Sequence, residues 1–197
     1  VTMIVMGSRG LGGLSGMVMG SVSAAVVSHA HCPVVVVRGD NPVTEDTKYG
    51  PVVVGVDGSG VSQKAIEYAF AEASARECEL IAVHTWMDMQ IQASLAGLSA
   101  AQQQWKIVEE EQNMLLGHRL AGYAERYPDV QVTLVVTRDR PVRALVDAAK
   151  GAQLLVVGSH GRGGFKGMLL GSTSRALLQS APCPMMVVRP DSDAKAH

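Results

Sequence analysis

Two glycine-studded stretches of this chain have the spacing to hold an anion. The stretch GSHGRGGFKGMLLGS runs from Gly158 to Ser172 and sets glycines at 158, 161 and 171 before a serine at 172. Glycine has no Cβ, so backbone N–H groups can come close to a phosphate, and the free N–H groups of a following helix can hold it. Arg162 and Lys166 add cations able to reach outer phosphates. Asp57, which ends an apolar run at the opposite side of the expected site, can accept hydrogen bonds from ribose hydroxyls or an adenine edge. Val83 can pack against a base. The other stretch, GSRGLGGLSGMVMGS, runs from Gly7 to Ser21 and repeats the spacing at Gly7, Gly10, Gly20 and Ser21. It carries Leu11 in place of Arg162 and Ser15 in place of Lys166, and no aspartate-bearing strand precedes it. That half-site is expected to be empty.

Blander readings compete at each position. A glycine loop can be a plain turn, and Asp57 with Gly58 can be a turn former that caps the next helix. For Arg162 and Lys166, a solvated loop charge is the alternative to a phosphate contact. Neither GxxxxGK[ST] nor an early GxGxxG is present; DGSG follows the first apolar run of the longer repeat unit. His29, His31 and Cys32 resemble metal ligands in type, yet the second copy has Ser180, Pro182 and Cys183 there, so no metal is expected. His84 and His118 are isolated and read as core or surface residues. The ten methionines read as adaptable packing. No nucleophile–base signature or paired carboxylates stand out, so no catalytic residue is assigned.

The elements that must position these residues alternate between strand and helix. PVVVGVD (51–57) is a β-branched run closed by Asp-Gly, read as a buried strand. Ser59 or Ser62 can cap a helix reaching roughly to Cys78, with Ile66, Ala69, Phe70 and Ala73 on its inner face. ELIAVHTW (79–86) is a second strand, and a helix around 102–127 follows with Trp105, Val108, Leu115, Leu116 and Leu120 as its expected stripe. VQVTLVVT (130–137) is a third strand. Pro141 opens a helix whose Val142, Leu145, Val146 and Ala149 share a face. AQLLVVG (152–158) is a fourth strand, Ser172 is expected to cap a last helix, and CPMMVVR (183–189) is a fifth strand. The expected fold is α/β, a five-stranded doubly wound parallel sheet of order 3-2-1-4-5 with helices on both faces. That order makes the first and fourth strands neighbours at the switch point, where open α/β sheets bind ligands.

An offset of 151 aligns Gly7–Asp40 with Gly158–Asp191, and 18 of those 34 positions are identical. The identity extends past the glycines into HCPVVVVRGD against PCPMMVVRPD, so the repeat is a duplicated structural unit. Residues 1–38 are therefore expected to be a β-α-β remnant of a first unit: its fourth strand, fourth helix and fifth strand. Residues 39–50 read as a linker, 51–190 as a complete unit and 191–197 as a tail. The two fifth strands are expected to pair, Pro33–Val37 along Pro184–Val188, within the chain or between neighbours.

Composition narrows the classes. The 197 residues are 47% hydrophobic but only 4% aromatic, so aliphatic packing must dominate. A net charge of −1 without basic blocks argues against nucleic acid. No apolar run approaches a bilayer span and no basic-then-apolar leader opens the sequence, so a cytoplasmic protein without a membrane partner is expected. Cys32, Cys78 and Cys183 lie far apart without CxxC spacing, which argues against a disulfide or zinc framework.

The motif G-x2-G-x9-G-[ST] at Gly158, Gly161, Gly171 and Ser172, its repeat at Gly7, Gly10, Gly20 and Ser21, VVVGVDGS, and the closing Cys-Pro run together resemble the universal stress protein family. The likeness extends over nearly the whole chain and is closest to tandem-domain members. It implies ATP as ligand, with or without Mg, held by Asp57, Val83, Gly158, His160, Gly161, Gly171, Ser172 and Thr173, with Arg162 as an added phosphate contact. It implies a regulatory stress-response module that is not an enzyme, or at most a weak ATPase. Partners would be the adenine nucleotide and copies of the chain, in a homo-oligomer formed through fifth-strand edges. The alternatives are a slow ATP hydrolase or transferase using the same pocket, and an interaction protein with no ligand.

Overall fold

The computed structural model describes residues 2–8, 19–39, 45–86, 98–162 and 169–190. Valine-rich runs become the strands β1 (Ile4–Gly7), β2 (Val34–Val37), β3 (Val52–Gly55), β4 (Leu80–Thr85), β5 (Val132–Thr137), β6 (Leu154–Gly158) and β7 (Met185–Val188). Between them lie α1 (Ser21–His29), a single turn α2 (Glu45–Lys48), α3 (Gly60–Ala75), α4 (Leu98–Arg126), α5 (Pro141–Ala148) and α6 (Ser172–Ser180). The strands form one sheet in the order β1-β2-β7-β6-β3-β4-β5. It is a seven-stranded mixed sheet, where a five-stranded parallel one was expected for the longer unit alone. The difference comes from β2, which pairs antiparallel with β7 in the register Val34↔Val187, Val35↔Met186, Val36↔Met185. The fifth-strand contact thus forms within the chain.

Side-chain alternation along the strands builds two cores. On one face Val52, Val54, Val56, Leu80, Ala82, Leu154, Val156, Met186 and Val188 meet the inner side of α3, with Ile66, Ala69, Phe70 and Ala73, and α4, with Leu116 and Leu120. Phe70 stacks on Tyr123 and Tyr127 with ring centroids 5.8 and 5.9 Å away, which fixes α4 against α3. On the other face Val34, Val36, Val53, Val83, Leu155, Val157, Met185 and Val187 meet Leu145 and Ala149 of the α5 region, Leu177 and Leu178 of α6, and Val27 of α1. This near-continuous apolar sequence suits strands covered on both faces.

Three local expectations need correction. Ser59 does cap α3, its hydroxyl oxygen accepting from the Ser62 N–H at 3.2 Å, but the helix stops at Ala75. Glu77 takes a positive φ of 53° just beyond, which ends the helical run before Cys78. Ser172 is the first residue of α6 and Gly171 is its N-cap, with no side chain capping it. Leu115 is 45% exposed, because Leu116 and Leu120 set the phase of α4 and turn Leu115 outward.

The two copies of the repeat also clasp each other. Arg38, just past β2, donates from Nη1 to the Gln179 carbonyl near the C-terminus of α6. Arg189, just past β7 and equivalent by the repeat offset, donates to the Val27 carbonyl of α1 at 3.4 Å. Each cation thus meets the negative end of the other copy's helix.

Candidate functional site

The β3–α3 and β6–α6 connections meet at the carboxyl ends of adjacent parallel strands, where β3 and β6 pair through Val52↔Leu154 to Val54↔Val156. This is where crossovers diverge to opposite faces of the sheet and leave a crevice. A cavity of about 510 Å³ opens there. Asp57, Val83, Gly158, His160, Gly161, Arg162, Gly171, Ser172 and Thr173 all line it. Lys166 lies outside the described residues, as do Gly10, Leu11 and Ser15 of the first copy.

Asp57 ties the two connections together. Its Oδ1 accepts from the Ser59 N–H at 2.9 Å and the Ser59 hydroxyl at 2.7 Å, and its Oδ2 accepts from the Arg162 N–H at 2.9 Å. Burial alone would raise this carboxyl, but the bonds from Ser59, from the Arg162 N–H and from Ser62 outweigh it and hold it below the usual aspartate value. The turn former and the site residue are therefore the same group. Gly161 is required because of that bridge: a Cβ there would collide with Asp57 Oδ2. The sequence reading gave that glycine to phosphate approach; the close neighbour in the structure is the carboxylate. At Gly158 a Cβ would come within 2.9 Å of Val61 Cγ1, so the loop also packs on the first turn of α3.

The loop's far end is a helix N-terminus. Gly171 donates its N–H to the Ser159 carbonyl at 2.7 Å, and the Ser174 hydroxyl donates to the Gly158 carbonyl at 2.7 Å. These bonds hold the start of α6 against the end of β6. Among the described residues no side chain caps α6, and its first N–H groups have no partner inside the helix, the arrangement by which a helix N-terminus can hold an anion. His160 stands beside this edge, its Nδ1 3.0 Å from the Ser159 hydroxyl.

The opposite wall is apolar and was missed in part. Thr85 follows Val83 by two residues and shares its face, a placement the period of a strand makes legible. Pro141 and Leu145 of α5 and Val157 of β6 complete the wall. Gly55 lets Leu145 and Val157 close over the strand, since a Cβ there would meet both at 3.2–3.3 Å. Nothing local marks Leu145 as a site residue, because its place depends on how α5 crosses the sheet. The cavity thus offers a largely apolar wall, one ionised acceptor and a helix N-terminus. Asp57 is a poor proton acceptor, since its acidity is increased and its oxygens already accept from Ser59 and from the Arg162 N–H. Among the described residues no group of three His, Cys, Asp or Glu could hold a metal ion.

The model of the universal stress protein family matches residues 1–38 and 48–189. The chain belongs to the universal stress protein family. A universal stress protein of Mycobacterium tuberculosis is 50% identical over 187 residues, which is 95% of this chain and 61% of that one. One from Mycolicibacterium smegmatis is 47% identical over 188 residues, 95% of this chain and 62% of that one. The chain therefore spans about three-fifths of the length of these universal stress proteins. Among solved structures, a universal stress protein from Archaeoglobus fulgidus superposes with a TM-score of 0.61 at 25% identity, covering 98% of this chain and 62% of that one. A universal stress protein in complex with cAMP superposes with a TM-score of 0.51 at 27% identity, covering 72% of this chain and 97% of that one. Among the described residues, no helix is long and apolar enough to cross a membrane.

Proposed function

We propose that the cavity between the β3–α3 and β6–α6 connections binds one adenine nucleotide, ATP in the first instance, and that the protein works as a nucleotide-responsive regulatory module. The observation that carries this reading is the convergence of Asp57, the glycine loop and the open N-terminus of α6 on one cavity. Its volume falls within the range of small-molecule sites. The base would lie against the apolar wall of Val83, Val157 and Leu145. The ribose would meet the free lone pair of Asp57 Oδ2, and the phosphates would meet the α6 N-terminus, Ser172, Thr173 and Arg162. The family relative in complex with cAMP lends support, since its ligand is also an adenine nucleotide.

Binding is favoured over turnover. Hydrolysis needs a positioned base and strong stabilisation of the γ-phosphate, and Asp57 is unsuited to the first role. Any homo-oligomer would have to avoid the fifth-strand edges, because β2 and β7 already fill each other's. We infer that self-association, which light scattering would detect, runs through β1, which has no strand on its outer side among the described residues. Titration calorimetry with ATP, ADP and cAMP tests the ligand assignment. One site per chain with micromolar affinity is expected, and absence of heat and of any co-purified nucleotide in denatured protein would overturn it.

A further inference from the structure

Asp57 is held in place from outside the cavity. On its N-terminal side, the Val56 carbonyl accepts a hydrogen bond from His84 Nδ1 at 2.6 Å. A carbonyl can only accept, so Nδ1 carries the proton. His84 is 2% exposed, and its Nε2, left as an acceptor, lies 3.1 Å from the terminal amide of Gln112 on α4, which donates to it when the amide is turned to present its NH2 in place of Oε1. On the C-terminal side of Asp57, Gly58 takes a φ of +82° and presents its open side to Arg119, also on α4. A Cβ at Gly58 would lie 2.5–2.8 Å from the guanidinium atoms of Arg119, so the planar group lies directly against that peptide.

Gln112 and Arg119 are seven residues apart. Seven residues make almost two helical turns, so both side chains leave α4 on one face, about 10 Å apart along the axis. Neither lines the cavity. Between them they bracket the residue whose carboxylate bridges the two connections of the site. Burial explains part of this: an imidazole sealed in the core needs partners for both nitrogens. It does not explain why Arg119 lies against the Gly58 backbone while Gln112 reaches the Val56 carbonyl through His84, so that the two lines of contact from α4 end on either side of Asp57.

We propose that Gln112, through His84, and Arg119 are positioning residues that set the orientation of Asp57 and, with it, nucleotide affinity, from outside the pocket. The inference rests on the nucleotide reading above for its effect on affinity, but the clasp itself can be read without ligand. Gln112→Met keeps the length of the side chain and Arg119→Met keeps most of its apolar stem, and each removes the polar end. Met114→Ala, at an exposed position of the same helix, is the control.

The test measures ATP affinity by calorimetry and, without nucleotide, the amide chemical shifts of Ser59 and Arg162, the two N–H groups that donate to Asp57. Each substitution is expected to weaken ATP by about fivefold, the scale of one net hydrogen bond, and to move both amide signals. Met114→Ala should do neither. Wild-type affinity with unmoved amides in both variants would overturn the proposal. If the parent chain binds no nucleotide, the functional reading fails, and the amide shifts alone decide the clasp: displaced signals support it and unmoved ones overturn it. Should either methionine variant unfold, His84→Asn serves instead. It keeps a donor near the Nδ1 position while cutting the link to Gln112, and is expected to move the Ser59 and Arg162 signals; a folded variant with unmoved signals would overturn the Gln112 arm.

Discussion

The first copy of the repeat, β1–α1–β2, and the second, β6–α6–β7, hold their loops with the same hydrogen bonds. Ser23 donates to the Gly7 carbonyl at 3.0 Å as Ser174 does to Gly158 at 2.7 Å. Gly20 donates to Ser8 at 2.9 Å as Gly171 does to Ser159 at 2.7 Å, and Ser8 donates to Val37 as Ser159 does to Val188. What surrounds them differs. β6 has β3 beside it, and Val156 is 0% exposed; among the described residues β1 has no strand on its outer side, and the equivalent Val5 is 65% exposed. The frame of the loop is therefore encoded locally. The site is not, because its acceptor, Asp57, comes from a neighbouring strand that only the second copy has in the described structure.

The sharpest way to break this comparison is to place the same side chain in both loops. Gly161→Val puts a branched Cβ into the Asp57 carboxylate, so it must expel either the acid or the loop. Loss of ATP binding by at least about a hundredfold is expected, the combined scale of a lost charged hydrogen bond and a displaced loop. Gly10→Val, its counterpart in sequence, should leave affinity unchanged in calorimetry. Equal losses would mean that the first loop also takes part in binding.

Burial offers a second test, of smaller size. Val156→Ala should cost about 2 kcal/mol in urea unfolding, from two methylene equivalents and the space left behind, while Val5→Ala should stay within about 0.5 kcal/mol. If Val5→Ala costs as much as Val156→Ala, a partner covers β1 in solution, and the cost should then fall on dilution.

Acid separates the loops by charge. The folded Asp57 carboxyl lies below its ordinary value of 3.8, so its contribution to stability is present above that value and is lost as pH falls through the lower, folded one. The Arg162 amide, bonded to Asp57, should shift along that titration in a pH series monitored by NMR. The Gly20 amide, bonded to the Ser8 carbonyl, should not shift with it. Asp57→Asn should remove the Arg162 transition.

Much of this was legible in the sequence. β-branched runs fixed the places of β3, β4, β6 and β7, and the glycine spacing with Asp57, extended to Val83, His160 and Thr173 by the family resemblance, named nine residues that line one cavity. The rest depended on distance or phase. Adjacent leucines at 115 and 116 leave the phase of α4 open by one residue, and tertiary packing chose Leu116. Gly171 and Ser172 can both start a helix, so the cap was off by one. A run such as Val34–Val37 has no feature that distinguishes parallel from antiparallel pairing, and its partner lies about 150 residues away. His84 looked isolated because Val56 and Gln112, each 28 residues from it, become neighbours only in the folded sheet.

The smallest expected effect concerns the arginines that join the copies. Arg38 and Arg189 occupy equivalent positions, and each donates to a carbonyl near the C-terminus of the other copy's helix. A cation at a helix C-terminus contributes about 0.3–1 kcal/mol. Burial lowers the pKa of Arg189, which is the cost of taking its charge partly out of water and offsets some of that gain. Its bond to Val27, at 3.4 Å, is also long for a hydrogen bond. Arg189→Met should therefore destabilise the chain less than Arg38→Met, with both below about 1 kcal/mol in chemical denaturation. The double variant should lose the sum, since the two bonds share no partner. A loss well beyond the sum would show that the arginines act as one clasp, with the second holding the copies together once the first is gone; a loss confined to Arg189→Met would show that burial strengthens its bond more than desolvation weakens it.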